Sequence, residues 1–92
     1  MIVRISTDKQ YRLPDEHHDR LNELDNATVD ACEAGDEGRF EQVFGEMLDL
    51  VRREGEPLPD DELEESDVIL PPPDTTMAEA AHEFSGEGLI PD

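Results

Sequence analysis

The chain has 92 residues, with 26 acidic side chains against 7 basic ones, and its formal net charge is −19. That length suits one domain with a thin core, and so negative a surface makes direct binding to nucleic acid or anionic lipid unexpected. Apolar residues recur periodically, which argues against simple disorder. The simplest explanation of the acidic composition is that the protein functions in high salt, where the repulsion between its carboxylates is screened. The alternatives are a cationic partner or mimicry of nucleic acid.

The single cysteine and the start of the chain indicate the compartment. Cys32 excludes an intramolecular disulfide, and its place in a helical apolar pattern is typical of a small buried hydrophobe. The opening MIVRIS contains no apolar stretch long enough for a signal peptide or a membrane span. We therefore expect a cytoplasmic protein.

The first 13 residues predict a β-hairpin made of two short β-rich runs, residues 1–5 and 10–13. If Ile5 lies opposite Tyr11, then Arg4 lies opposite Arg12, which is unfavourable unless an anion lies between them. In this arrangement Ile2, Arg4 and Arg12 occupy the exposed face. The opposite face contributes to the core through Met1, Val3, Ile5, Tyr11 and Leu13.

This hairpin is the net-positive part of an otherwise acidic chain, which leaves two interpretations open. The arginines can pair with acids of the same protein, which is the simpler interpretation. Alternatively, Ile2, Arg4 and Arg12 form a contact for an acidic partner surface, and these three are the candidate partner-binding residues.

Residues 15–54 predict a helical hairpin. Asp15 follows Pro14 and can cap a first helix that ends at Gly35, and Asp36 can cap a second helix that ends before Gly55. The short connection at Gly35 and Asp36 makes the two helices antiparallel. Each helix carries an apolar stripe: Leu21, Leu24, Thr28, Ala31 and Cys32 in the first, and Phe40, Val43, Phe44, Met47, Leu48 and Val51 in the second.

The remainder of the chain predicts a loop, a strand and a short helix. Residues 56–67 form an acidic loop with Leu58 and Leu63 as anchors, and residues 68–70 form a strand that the prolines at 71–73 stop. Thr76 and Glu79 have capping-box spacing, which begins a short helix over residues 76–85. Its weak stripe is Met77, Ala80, Ala81 and Phe84. The apolar pair Leu89-Ile90 either packs onto the domain or anchors a partner.

The order of elements is thus β-β-α-α-β-α in a single domain of the α+β class. We expect a small three-stranded sheet covered on one face by the antiparallel helical hairpin, with the short helix at an edge. The third strand can pair beside the first or the second. We favour the first as the centre, since it is the more apolar.

No motif in the sequence predicts catalysis. Adjacent side chains such as His17 and His18 point about 100° apart on a helix, so they do not chelate one ion together, and the acidic loop lacks the alternating ligands of a calcium loop. Glycine-rich phosphate loops and nucleophile motifs are also missing. We therefore expect no enzyme activity, no catalytic or metal-binding residues and no cofactor.

Several stretches, in order along the whole chain, resemble the phage-shock-protein-A-associated family (the PspAA domain), in a form similar to that of halophilic archaea. The stretches are MIVRI with QYRL, LNELDN, PLPDDEL, SDVILPPPD and GEGLIPD. The positions shared with the family are Tyr11, Arg12, Leu58, Pro59, Ser66, Asp67, Leu70, Pro71 and Pro72, and their role can be structural. His17-His18, Cys32 and Gly45 depart from the family, and we expect Gly45 to mark a close packing contact.

The resemblance implies a non-catalytic adaptor or regulator of a membrane-stress response. Such proteins accompany phage shock protein A (PspA), a coiled-coil protein that binds and remodels membranes. The implied partner is this coiled-coil protein, with the membrane reached only through it. The alternative from another class is an acidic mimic or antitoxin-like inhibitor that blocks a basic protein.

Overall fold

The computed structural model describes residues 1–59, 61–62 and 64–82. Two strands open the chain, β1 (Ile2–Ile5) and β2 (Gln10–Arg12), and a 3₁₀ turn (Asp15–His17) leads into α1 (His18–Ala34). After α1 come α2 (Glu37–Glu54), β3 (Glu56–Pro57), β4 (Val68–Leu70) and α3 (Met77–Ala80). None of the described helices is long and apolar enough to cross a membrane.

The strands form one mixed sheet in the order β3-β2-β1-β4. β1 is antiparallel to β2 and parallel to β4, and β2 is antiparallel to β3. The predicted α+β class is confirmed, and so is the position of the 68–70 strand beside the first strand. The expectation of three strands is wrong, because Glu56 and Pro57 pair with β2 instead of belonging to the loop.

The register of the β1–β2 hairpin differs from the predicted one by two residues. Val3 lies opposite Tyr11 and Arg4 opposite Gln10, so the predicted pairing of Arg4 with Arg12 is wrong. The cause is a tight turn, in which the Asp8 backbone nitrogen donates to the Ile5 carbonyl at 2.9 Å and Thr7 adopts a φ of 67°. A shift of two residues leaves every side chain on its predicted face.

Local capping explains where the helices begin and end. The Asp36 carboxylate accepts a hydrogen bond from the Arg39 backbone nitrogen at 3.1 Å, and Gly35 ends α1 at a left-handed φ of 69°. Asp15 does not cap α1, because its carboxylate lies 3.3 Å from the Met1 amino nitrogen and the 3₁₀ turn comes first.

The core lies between the helical hairpin and one face of the sheet. Every predicted stripe residue of α2 is buried, and the rings of Phe40 and Phe44 stack with centroids 5.3 Å apart. Val3, Ile5 and Leu13 are fully buried on the facing side of the sheet. All of these side chains except Val43 belong to one continuous apolar cluster, as the periodicity predicts.

The end of α2 comes very close to β2 at Gly55. A Cβ added there would collide with the Val51 carbonyl oxygen and lie 2.9 Å from the Tyr11 Cβ. Glycine is therefore needed at this position for the chain to leave α2 and enter β3 directly.

The last described element, α3, begins at the predicted capping box. The Glu79 backbone nitrogen donates to the Thr76 hydroxyl at 3.3 Å, and the Thr76 backbone nitrogen donates to the Glu79 carboxylate at 3.2 Å. The helix ends at Ala80, followed by a turn at Ala81 and His82. The predictions for Leu63, Phe84 and Leu89-Ile90 lie outside the described residues.

Candidate partner-binding surfaces

The face of the sheet that points away from the helices carries the candidate residues predicted from the sequence. Alternation along the strands puts Ile2, Arg4, Gln10 and Arg12 on this outer face. Ile69 joins them, since it lies opposite Arg4 in the parallel pairing of β1 with β4.

A connecting segment crosses part of this outer face. We call residues 58–67 the acidic crossover, because they link β3 at one edge of the sheet to β4 at the other. The Gln10 side-chain nitrogen donates to the Glu64 carbonyl at 2.6 Å and to the Ser66 hydroxyl at 2.8 Å. At the far end, the Asp67 carboxylate accepts from the Ile2 backbone nitrogen at 2.7 Å. The predicted acidic loop is thus an ordered cover at its described residues.

The crossover changes the interpretation of two of the three candidate residues. Ile2 is only 9% exposed, so its expected exposure is wrong: the crossover is bonded to its backbone. Arg12 donates to the Glu64 carboxylate at 3.0 Å, so an acid of the same chain supplies the anion near this guanidinium.

The third candidate, Arg4, remains available. It is exposed and makes no ion pair with any described residue. Its neighbour Ile69 is 57% exposed, and no other large apolar side chain of the described residues is exposed. We call these two residues the Arg4–Ile69 patch. Sequence reasoning missed Ile69, although its alternation with the core-facing Val68 and Leu70 was a usable signal.

The ionisable groups near the sheet and helices show the effects of burial. Burial raises the pKa of the Tyr11 hydroxyl, and its 3.0 Å hydrogen bond to the Asp8 carboxylate raises that pKa further. Burial also raises the pKa of the Cys32 thiol, with a smaller contribution from the negative charge of Glu33. Cys32 is half-buried and packs against the core cluster, as its sequence context suggests.

The two adjacent histidines do not converge on a common point. His17 Nε2 lies 3.5 Å from a Glu54 carboxylate oxygen, whereas His18 Nδ1 lies 3.7 Å from an Asp19 carboxylate oxygen. In the described part of the chain, no three His, Cys, Asp or Glu side chains are grouped so that they could hold a metal ion.

A second surface feature lies on the helical side of the domain. α2 and residues 73–78 enclose a groove of about 510 Å³, with Gly45 on its α2 side. We call it the Gly45 groove. The structure therefore presents two distinct surfaces, one on the sheet and one beside α2.

Comparison with known proteins identifies the family. The family model described as PspA-Associated protein matches residues 1–92. The chain belongs to the PspA-associated protein family. A search of curated proteins and a search of solved structures each give no match.

Four of the positions on which the resemblance in the sequence rests have contacts or burial that the structure describes. Ser66 and Asp67 attach the acidic crossover to Gln10 and Ile2, and Arg12 binds the crossover residue Glu64. Leu58 is 7% exposed at the start of the crossover. Ser66, Asp67 and Arg12 thus take part in attaching the crossover to the outer face of the sheet.

Proposed function

We propose that this PspA-associated protein is a non-catalytic adaptor that binds PspA in the membrane-stress response. The observation that carries the proposal is the family match over the whole chain, since the family is described by its association with PspA. The adaptor reaches the membrane only through this partner and has no reaction of its own.

The Arg4–Ile69 patch is the part of the sheet that we propose as the PspA contact. A coiled-coil partner presents acidic e and g side chains along its flanks, where a carboxylate can pair with the Arg4 guanidinium and an alkyl stem can pack on the exposed Ile69. Arg4 is exposed without an ion pair to any described residue, so its binding breaks no ion pair within the described part of the chain.

Arg12 offers a matched comparison on the same face. Its guanidinium already binds Glu64 at 3.0 Å, so its loss removes an internal contact of the crossover. We therefore expect Arg12→Gln to lower stability, whereas Arg4→Gln leaves stability unchanged and weakens binding to PspA. Of the three candidate residues Ile2, Arg4 and Arg12, the proposed contact keeps only Arg4, and it adds Ile69.

The test is calorimetric titration of the full chain with PspA from the same organism. We expect saturable binding by the unchanged chain, and an affinity about tenfold lower for Arg4→Gln and for Ile69→Ser at an unchanged melting temperature. Arg39→Gln is the control, because it removes an exposed positive charge from α2, away from the sheet. Absence of binding by the unchanged chain would contradict the adaptor function. Undiminished binding by Arg4→Gln and Ile69→Ser would reject the patch alone.

A further inference from the structure

Gly45 lies in the interior of α2, where glycine destabilises a helix relative to alanine. The sequence suggests a close packing contact at this position, but a Cβ added to Gly45 would meet no described atom within 4 Å apart from its chain neighbours and the adjacent α2 backbone. That expectation is wrong within the described residues. Gly55 is different, since a Cβ there would collide with the chain. Packing of the described part of the domain therefore does not explain why position 45 lacks a side chain.

Among the described residues, Gly45 instead borders the Gly45 groove. Its floor is formed by the edges of the core residues Phe40, Phe44 and Leu48, which are almost fully buried. The more accessible apolar side chains belong to the segment after β4: Pro73, Met77 and Ala78. A volume of about 510 Å³ is within the range of pockets that hold a ligand or anchoring side chains. Without a Cβ at position 45, a partner can approach the α2 backbone more closely than any other residue would allow.

The polar lining of the groove has one sign of charge. Glu37 and Glu41 contribute carboxylates from α2, and Asp74 contributes one from the opposite wall. The other polar side chains are the hydroxyls of Thr75 and Thr76, and no lysine or arginine lies among the described lining residues. This charge is opposite to that of the Arg4–Ile69 patch, so the two surfaces favour different partner segments.

We propose that the Gly45 groove is a second docking surface, which binds an amphipathic helix with lysine or arginine on both sides of its apolar stripe. The apolar side chains of that helix lie over Gly45 and contact Pro73, Met77 and Ala78, and its basic flanks meet Glu37, Glu41 and Asp74. This inference goes beyond the proposed function, since it needs neither Arg4 nor PspA. An adaptor with two surfaces of opposite charge can hold two different helical segments at once.

The test uses a synthetic fluorescent helix of about 18 residues, with leucines on one stripe and lysines on both flanks. Its binding to the full chain is measured by fluorescence anisotropy. A scrambled peptide of the same composition measures non-specific attraction to the acidic surface, and a twin with glutamate flanks tests charge preference. We expect the striped lysine peptide to bind about tenfold more tightly than either comparison peptide.

Two variants of the groove locate the binding. Gly45→Leu places a side chain in the groove, so we expect about a tenfold loss of affinity without a fall in melting temperature. Glu41→Lys reverses one rim charge and should weaken binding about fivefold. Glu46→Lys is the matched control, because it makes the same charge change at an exposed α2 position outside the groove. Glu41→Lys keeps the proposal testable if Gly45→Leu fails to fold.

Several results would overturn the proposal. Equal affinity for the striped and scrambled lysine peptides would show non-specific attraction, and equal effects of Glu41→Lys and Glu46→Lys would remove the groove from the interaction. Tighter peptide binding by a full chain carrying the uncharged changes Leu89→Ser and Ile90→Ser would identify this chain's own last residues as the occupant. Self-association that Gly45→Leu abolishes would identify a second copy. Arg4→Gln should bind the peptide as the unchanged chain does, which separates this test from that of the PspA contact.

Discussion

The side chain of Gln10 is the main described attachment of the acidic crossover to the outer face of the sheet. Gln10 is 8% exposed, and its amide nitrogen makes the 2.6 Å and 2.8 Å hydrogen bonds to Glu64 and Ser66. A third contact, from the Glu64 backbone nitrogen to the Gln10 amide oxygen, is long at 3.4 Å. Gln10→Ala removes all three.

The expected cost of Gln10→Ala follows from these contacts. Each of the two short hydrogen bonds contributes about 0.5–1.5 kcal/mol net, and the long one contributes little. Glu64 is exposed and Ser66 is half-buried, so water can replace part of what is lost. We expect the free energy of unfolding to fall by about 1–2.5 kcal/mol, which lowers the melting temperature by roughly 5–15 °C in a domain of this size.

Two measurements in molar salt test this prediction. Circular dichroism gives the melting temperature, and limited digestion with a glutamate-specific protease reports release of the crossover, which contains Glu62, Glu64 and Glu65. Gln42→Ala is the control, because it makes the same change at an exposed position of α2. A melting temperature and a cleavage rate equal to those of the unchanged chain would show that these hydrogen bonds do not hold the crossover.

Three further predictions concern the core, the charge and the cysteine. Met47 is fully buried and Phe44 is 3% exposed, so replacing either with alanine should cost about 2–5 kcal/mol in denaturant unfolding, and an unchanged midpoint would exclude the stripe from the core. The net charge of −19 makes the folded chain repel itself, and salt screens this repulsion, so the melting temperature should rise as monovalent salt is raised from low to molar levels. An unchanged melting temperature over this range would argue against adaptation to high salt. Burial raises the pKa of the Cys32 thiol, so less thiolate is present at a given pH. The reaction of Cys32 with a disulfide reagent should therefore be slower than that of free cysteine, with its pH midpoint at a higher pH. An equal pH midpoint would contradict this expectation.

Periodicity and capping made the helical hairpin predictable from the sequence. The stripe from Phe40 to Val51 faces the core, and Gly35 and Asp36 end and begin the helices as predicted. These features depend on residues three or four positions apart, so they are visible in the sequence.

The hairpin register and β3 were not predictable in the same way. The register depends on a positive φ at Thr7, a residue type that rarely adopts this conformation. β3 consists of Glu56 and Pro57, neither of which favours a strand, and it forms because Gly55 brings the chain against β2.

The candidate site was predictable only in part. The faces of the hairpin followed from alternation, which puts Arg4 on the exposed side. The cover over Ile2 and Arg12 depends on contacts such as Arg12 with Glu64, which are 52 residues apart and have no local signal. The exposed isoleucine of the outer face is therefore Ile69 and not Ile2.

The most direct test of the adaptor function is the affinity of the full chain for PspA as monovalent salt is raised to molar levels. An adaptor that uses a defined patch such as Arg4 with Ile69 should lose no more than about tenfold in affinity over this range, since salt screens the Arg4 ion pair but not the apolar contact. An acidic mimic or inhibitor of a basic protein would instead lose affinity by orders of magnitude, because its attraction depends on the net charge of −19. Retained affinity for PspA is the result we predict, and steep loss of that affinity would contradict the account.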